Sequence, residues 1–198
     1  MNNIDNIIKE IEIYAKENDV PIMETMGINF LCSLIKDNNY KNILEVGTAI
    51  GYSSIMMSNI SKDIKVTTIE RDEVRYKEAI KNIKRCNKED QINAIFGDAL
   101  ETEIDGKYDL IFIDAAKGQY IKFFEKYSKN LSKNGVIVSD NMSFHGLVEE
   151  KERIRNKNLR QLVNKIKKYI VFLKENTEYD TEFHKIGDGV AVSRKKED

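Results

Sequence analysis

"NILEVGTAIGYS", residues 42–53, is an apolar run that ends in a glycine-punctuated turn. Residues 42–46 read as a buried strand. Gly47 and Gly51 let the backbone bend sharply and come close to a ligand. "GYSSIMMSNI" reads as the following helix, with Ser53 near its start. Strand, glycine turn and helix in succession make half of a βαβ unit.

The same order repeats on the C-terminal side. "KVTTIE" (65–70) is a strand followed by an amphipathic helix over 72–86. "INAIF" (92–96) is a third strand with a short helical segment after it, and "YDLIFID" (108–114) a fourth with a helix over 118–130. "GVIVSD" (135–140) is a fifth, followed by a long polar helix over about 151–175. "TEFHKI" and "GVAVSR", joined by "GDG", read as a hairpin. On the N-terminal side, Ile4, Ile7, Ile8, Ile11 and Tyr14/Ala15 recur at helical spacing until Pro21, and a second helix runs from Glu24 to Lys36. Apolar strands alternating with amphipathic helices predict an α/β fold. It is Rossmann-like: a doubly wound, mostly parallel, seven-stranded sheet with a C-terminal antiparallel hairpin strand. No linker or internal repeat divides the chain, so residues 1–198 are expected to form a single domain.

Composition narrows the class. With 41% hydrophobic and 33% charged residues, the chain is expected to be globular and soluble. No stretch reaches the roughly 18 apolar residues of a membrane span, and no signal peptide is visible, so the expected location is cytoplasmic. Cys32 and Cys86 lack CxxC spacing and read as two buried thiols. The net charge of -1 argues against a wholly basic nucleic-acid binder. One run departs from that average: Lys151, Arg153, Arg155, Lys157, Arg160, Lys165, Lys167 and Lys168 stand against Glu152 alone. It is either a solvated helix face or a surface for an anionic partner.

In doubly wound sheets, ligands bind beyond the carboxyl ends of the strands. Glu45 and Gly47, Glu70, Asp98, Asp114, and Asp140 with Asn141 all fall there. The turn is GxxxG, not the GxGxxG of dinucleotide binders. Glu70 could accept both hydroxyls of a ribose. Asp98 could accept an adenine amino group, with Ala99 leaving room for the ring, or could cap a helix. Asp114, Asp140 and Asn141 are hard oxygen ligands suited to Mg²⁺ or another divalent cation. Lys117, three residues after Asp114, could take a proton from a hydroxyl. His184 reads as structural, while Phe144 and His145 either pack in a loop or flank a base.

Together "LEVGTAIGYS", "TIER", "GDAL", "FIDAAKGQY" and "VSDN" resemble the cation-dependent S-adenosylmethionine O-methyltransferases of the catechol and caffeoyl-CoA type. The resemblance spans nearly the whole chain. It implies that Glu70 holds the ribose, Ser53 the methionine carboxylate and Asp98/Ala99 the adenine edge. By the same resemblance, Glu45, Gly47 and Asp114 border the cofactor, and helices within residues 1–38 cover it near Met23. Asp114 and Lys117 would be the catalytic pair, with Asp114, Asp140 and Asn141 on Mg²⁺. "VPIM", "DNMSFHGLV" and "IGDGVAVSRKK" look most like the bacterial tRNA 5-hydroxyuridine methyltransferases. That likeness implies methylation of wobble 5-hydroxyuridine to 5-methoxyuridine. It also implies an anticodon loop held by Lys151, Arg153, Arg155, Lys157 and Arg160, and a homodimer. The alternative acceptor is a small catechol-like or CoA-linked phenol.

Overall fold

The computed structural model describes residues 3–143, 146–148 and 156–196. Helices α1 (Asn3–Glu17) and α2 (Thr25–Asp37) precede β1 (Asn42–Val46), α3 (Tyr52–Ser58), β2 (Lys65–Glu70), α4 (Glu73–Arg85) and β3 (Ile92–Phe96). Then come β4 (Tyr108–Ile113), α5 (Tyr120–Tyr127), β5 (Leu131–Ser139), α6 (Lys157–Glu175), β6 (Tyr179–His184) and β7 (Val190–Lys195). The sheet order is β3-β2-β1-β4-β5-β7-β6. β1 to β5 pair in parallel, while β7 is antiparallel to both β5 and β6.

The two-residue period of the strands divides the core. Ile43, Leu110, Phe112, Val136 and Val138 face one side, where they meet Ile11, Ile28, Leu31, Ile55 and Ile83 from α1 to α4. Leu44, Val46, Ile111, Ile113 and Ile137 face the other, against Phe123, Phe124, Tyr169 and Leu173 of α5 and α6. Strands buried on both faces must be apolar at nearly every position, which is why these runs lack hydrophobic alternation. From β1 the chain moves outward to β2 and β3, then returns to β4 on the other side of β1. The reversal opens a crevice at the carboxyl ends of β1 and β4.

Three expectations need adjusting. The segment after β3 forms one hydrogen-bonded turn, with Glu101 and Thr102 amides donating to Asp98 O, rather than a helix. The Asp98 carboxylate holds the Leu100 amide at 2.8 Å, so the segment is fixed locally without a second turn. The helix expected over 118–130 is α5 flanked by 3-10 turns at Lys117–Gln119 and Ser128–Asn130. The long polar helix is described from Lys157 onward, with Asn156 capping Leu159 N at 3.1 Å. Lys151, Arg153 and Arg155 lie outside the described residues, as do Phe144 and His145.

Cys32 and Cys86 are both free thiols. Among the described residues no helix is long and apolar enough to cross a membrane. His184 packs its ring 4.7 Å from that of Phe30, with Glu182 3.6 Å from its Nε2.

Candidate active site

A cleft of about 590 Å³ occupies the crevice. Its floor is the turn after β1. Gly47 takes φ +107°, and a Cβ added there would fall 2.2 Å from Asp114 O. The β1 turn and the end of β4 therefore approach as closely as backbones can, a distance only glycine allows. Gly47→Ala is expected to cost about 3 kcal/mol or more, from backbone strain plus overlap. Denaturant titration checks it, and a cost below about 1 kcal/mol contradicts this geometry.

Glu70 anchors one end. Its Oε2 accepts from Ala49 N at 2.7 Å and its Oε1 from Asp72 N at 2.8 Å. Each oxygen keeps a further lone pair, and the residue lines the cleft, so the carboxylate can also receive ligand hydroxyls. Asp98 lies beside it, with Arg71 Nη1 3.6 Å from its Oδ2. Ala99 lines the wall between Asp98 and Leu100. Its carbonyl is held by Tyr127 Oη at 2.5 Å.

The other end gathers the acids of β4 and β5. Asn141 Nδ2 donates to Asp140 Oδ2 at 2.8 Å and to Asp114 Oδ1 at 3.3 Å. Asn141 is at φ +64°, a left-handed position asparagine tolerates, and this turns its amide back toward both carboxylates. Burial pushes Asp140 up to about 8, with the Asp114 charge adding to the rise and Lys117 opposing it. Burial likewise raises Asp114, against the pull of Lys117. Lys117 lines the cleft from the 3-10 turn that follows β4.

Strand-end reasoning missed Asp188. It is only 6% exposed, lines the cleft, and its charge bears on both Asp114 and Asp140. The β6–β7 turn carries it there. Ser143 N donates to Asp188 O at 2.8 Å and Met142 N to Gly189 O at 2.9 Å. The signal was an acid between two glycines in "GDG", which also reads as plain turn chemistry.

Three expected cofactor residues lie behind the cleft wall. Met23 is buried against Gly27, and Pro21, Ile22 and Glu24 form the wall instead. Glu45 is fully buried and accepts from the hydroxyls of Ser53 and Ser54, and from Thr68 Oγ1 at 2.6 Å. The Ser53 hydroxyl is thus committed to Glu45. Burial pushes Glu45 up to about 7 from 4.5 despite these three donors. Such a carboxyl costs nothing below its unfolded pKa, and its ionisation destabilises the fold increasingly as pH rises to its folded pKa. Between pH 4.5 and 7 the stability difference should therefore move toward Glu45→Gln, by about 3 kcal/mol. Denaturation of both proteins at pH 5 and pH 8 tests this, and a difference independent of pH rules it out.

Residues 2–196 match the O-methyltransferase family. This chain belongs to that family. A Staphylococcus aureus structure with a provisional caffeoyl-CoA O-methyltransferase assignment is 43% identical, at TM-score 0.91 over 96% of this chain and 92% of that one. A Populus kitakamiensis caffeoyl-CoA O-methyltransferase is 30% identical over 84% of this methyltransferase and 74% of its own length. A Bacillus cereus O-methyltransferase in complex with S-adenosylhomocysteine is 26% identical, at TM-score 0.80 over 96% and 91% of the two chains.

Proposed function

We propose that this methyltransferase moves the methyl group of S-adenosylmethionine to a hydroxyl that has a second oxygen beside it, using a divalent cation such as Mg²⁺. One observation carries the reading. Asp114, Asp140 and Asn141 meet at the tips of adjacent strands, in the cleft whose far end presents Glu70 and Asp98. A nucleoside-sized donor suits that far end, with Glu70 taking ribose hydroxyls and Asp98 an adenine amino group.

The donor set fits a hard cation. Burial raises both carboxylates, the charge of Asp114 raises Asp140 further, and the charge of Asp188 raises both, so a cation placed among them would be favoured. Asn141 offers an amide oxygen once its side chain turns half a revolution. Among the described residues no three carboxylate, imidazole or thiolate groups form a metal cage, so the set is two carboxylates and one amide. What a divalent cation supplies there is Lewis acidity, which eases ionisation of a hydroxyl. Lys117 Nζ takes the hydroxyl proton as the oxygen attacks the methyl carbon, and the sulfonium leaves as a neutral thioether. Glu70 and Asp98 hold the donor so that oxygen, carbon and sulfur align. Pro21, Ile22 and Leu162 add apolar surface to the cleft wall.

A catechol-like or CoA-linked phenol is the acceptor the relatives' names support. A second acceptor, wobble 5-hydroxyuridine in tRNA, presents the same oxygen pair through its 5-hydroxyl and 4-carbonyl. It is favoured by the cationic α6, where Lys157 and Arg160 begin a basic face. Labelled donor with Mg²⁺ should be offered to catechol, caffeoyl-CoA and tRNA bearing 5-hydroxyuridine. Label is expected in at least one and to vanish with chelator. The product that forms fastest names the acceptor, and no label in any of them sinks the reading.

A further inference from the structure

α6 carries Lys157, Arg160, Lys165, Lys167, Lys168 and Lys174 against Glu175 alone. On α4, by contrast, Lys77 pairs with Glu73, Lys81 with Glu78 and Arg85 with Glu10. Among the described residues no carboxylate pairs with Lys157, Arg160, Lys165, Lys167 or Lys168. The helix therefore presents positive charge that the described residues do not pair.

Lys165 stands beside the turn that carries Lys117 and Gln119 to the cleft. Leu162 lines it, and Lys165, three residues on, shares that side of the helix. The lysine lies across the turn that carries Lys117. A Cβ added at Gly118 would fall 2.9 Å from Lys165 Nζ and 3.0 Å from its Cδ. Gly118 sits between Lys117 and Gln119, which both line the cleft. Lys165 also borders a shallower groove with Gln161, Asn164 and Lys168.

We propose that Lys165 selects acceptors bearing a phosphate, holding that group at the rim while the reacting oxygens lie at Asp114 and Asp140. The proposal rests on the methyl-transfer reading above. A phosphate has several acceptor oxygens, and here it meets an ammonium flanked by the amide side chains of Gln161 and Asn164. The group can belong to a phosphorylated small acceptor or to a polynucleotide, because the recognising chemistry is the same. Lys165 is a specificity residue and takes no part in proton transfer.

Calorimetric titration of the S-adenosylhomocysteine complex in Mg²⁺ tests this with two matched probe pairs. One pair is catechol and 3,4-dihydroxybenzyl phosphate. The other is 5-hydroxyuridine and a five-nucleotide RNA containing it. The parent should bind at least one phosphate-bearing probe about five- to tenfold more tightly than its neutral partner. Lys165→Ala should erase that preference without changing catechol affinity, and Lys165→Arg should retain it. A preference confined to the benzyl phosphate assigns a small acceptor, and one confined to the RNA assigns a polymer. No preference in the parent overturns the proposal, as does a preference that survives Lys165→Ala. Equal weakening of catechol by Lys165→Ala overturns it too, since the lysine then only supports the Gly118 turn. If no probe accepts labelled methyl while the binding preference holds, the methyl-transfer reading fails and the anion site stands.

Discussion

Replacing Asp140 by alanine is expected to lower kcat/KM about a thousandfold, or about 4 kcal/mol of transition-state stabilisation. The loss should fall on the cation-dependent part of the rate, because the substitution removes one of two carboxylates that Asn141 bridges. The fold should tolerate the change. Asp140 is buried with its carboxyl pushed up to about 8, so the native structure gains nothing from its charge. Removing it also relieves its repulsion with Asp114. A readout independent of turnover follows from linkage. Mg²⁺ should raise the Tm of the parent and leave that of Asp140→Ala unmoved, since a ligand stabilises only the state that binds it. Donor affinity should stay within about threefold of the parent, because Glu70 and Asp98 are untouched. An undiminished Mg²⁺ response in the variant would remove Asp140 from the cation site.

The acids at the strand tips were legible because each closes a run of mostly apolar residues that reads as a strand buried on both faces. Glu70 is the last residue of β2, and Asp114 and Asp140 follow the last residues of β4 and β5. The alternation of elements likewise gave the parallel sheet, since only helices on both faces explain runs such as "LIFI". Contacts between distant segments were not legible. Glu45 and Ser53 both lie in "LEVGTAIGYS", but nothing in their spacing tells that the serine hydroxyl bonds the carboxylate below the loop. Met23 and Ile22 are neighbours, and a single-residue difference in orientation decides which of them faces the cleft. Asp188 enters the site because the hairpin turn docks on the segment after β5, a pairing that separates partners by more than forty residues in sequence. The division of residues 117–130 into two 3-10 turns around α5 was also hidden, since a short α-helix and a 3-10 turn share nearly the same apolar spacing.

Lys117→Ala is expected to reduce kcat by about 10²- to 10⁴-fold at neutral pH, the usual contribution of a positioned base. Its distinctive signature is the pH profile. The parent has its proton acceptor in place, so its rate should level off as pH rises. The variant depends on ionisation of the acceptor hydroxyl in solution, and its rate should keep climbing with pH. The ratio of parent to variant therefore shrinks in alkaline buffer. A lysine that served only to balance charge behaves differently. Its charge lowers the pKa of Asp114 and Asp140, so its loss would change cation affinity and leave the shape of the profile alone. Measuring kcat at saturating Mg²⁺ separates the two roles. Lys117→Arg adds a second test: it restores the positive charge but does not accept a proton in this pH range. Recovery of rate by arginine would assign Lys117 to charge balance, whereas continued inactivity with a climbing profile would assign it to proton transfer.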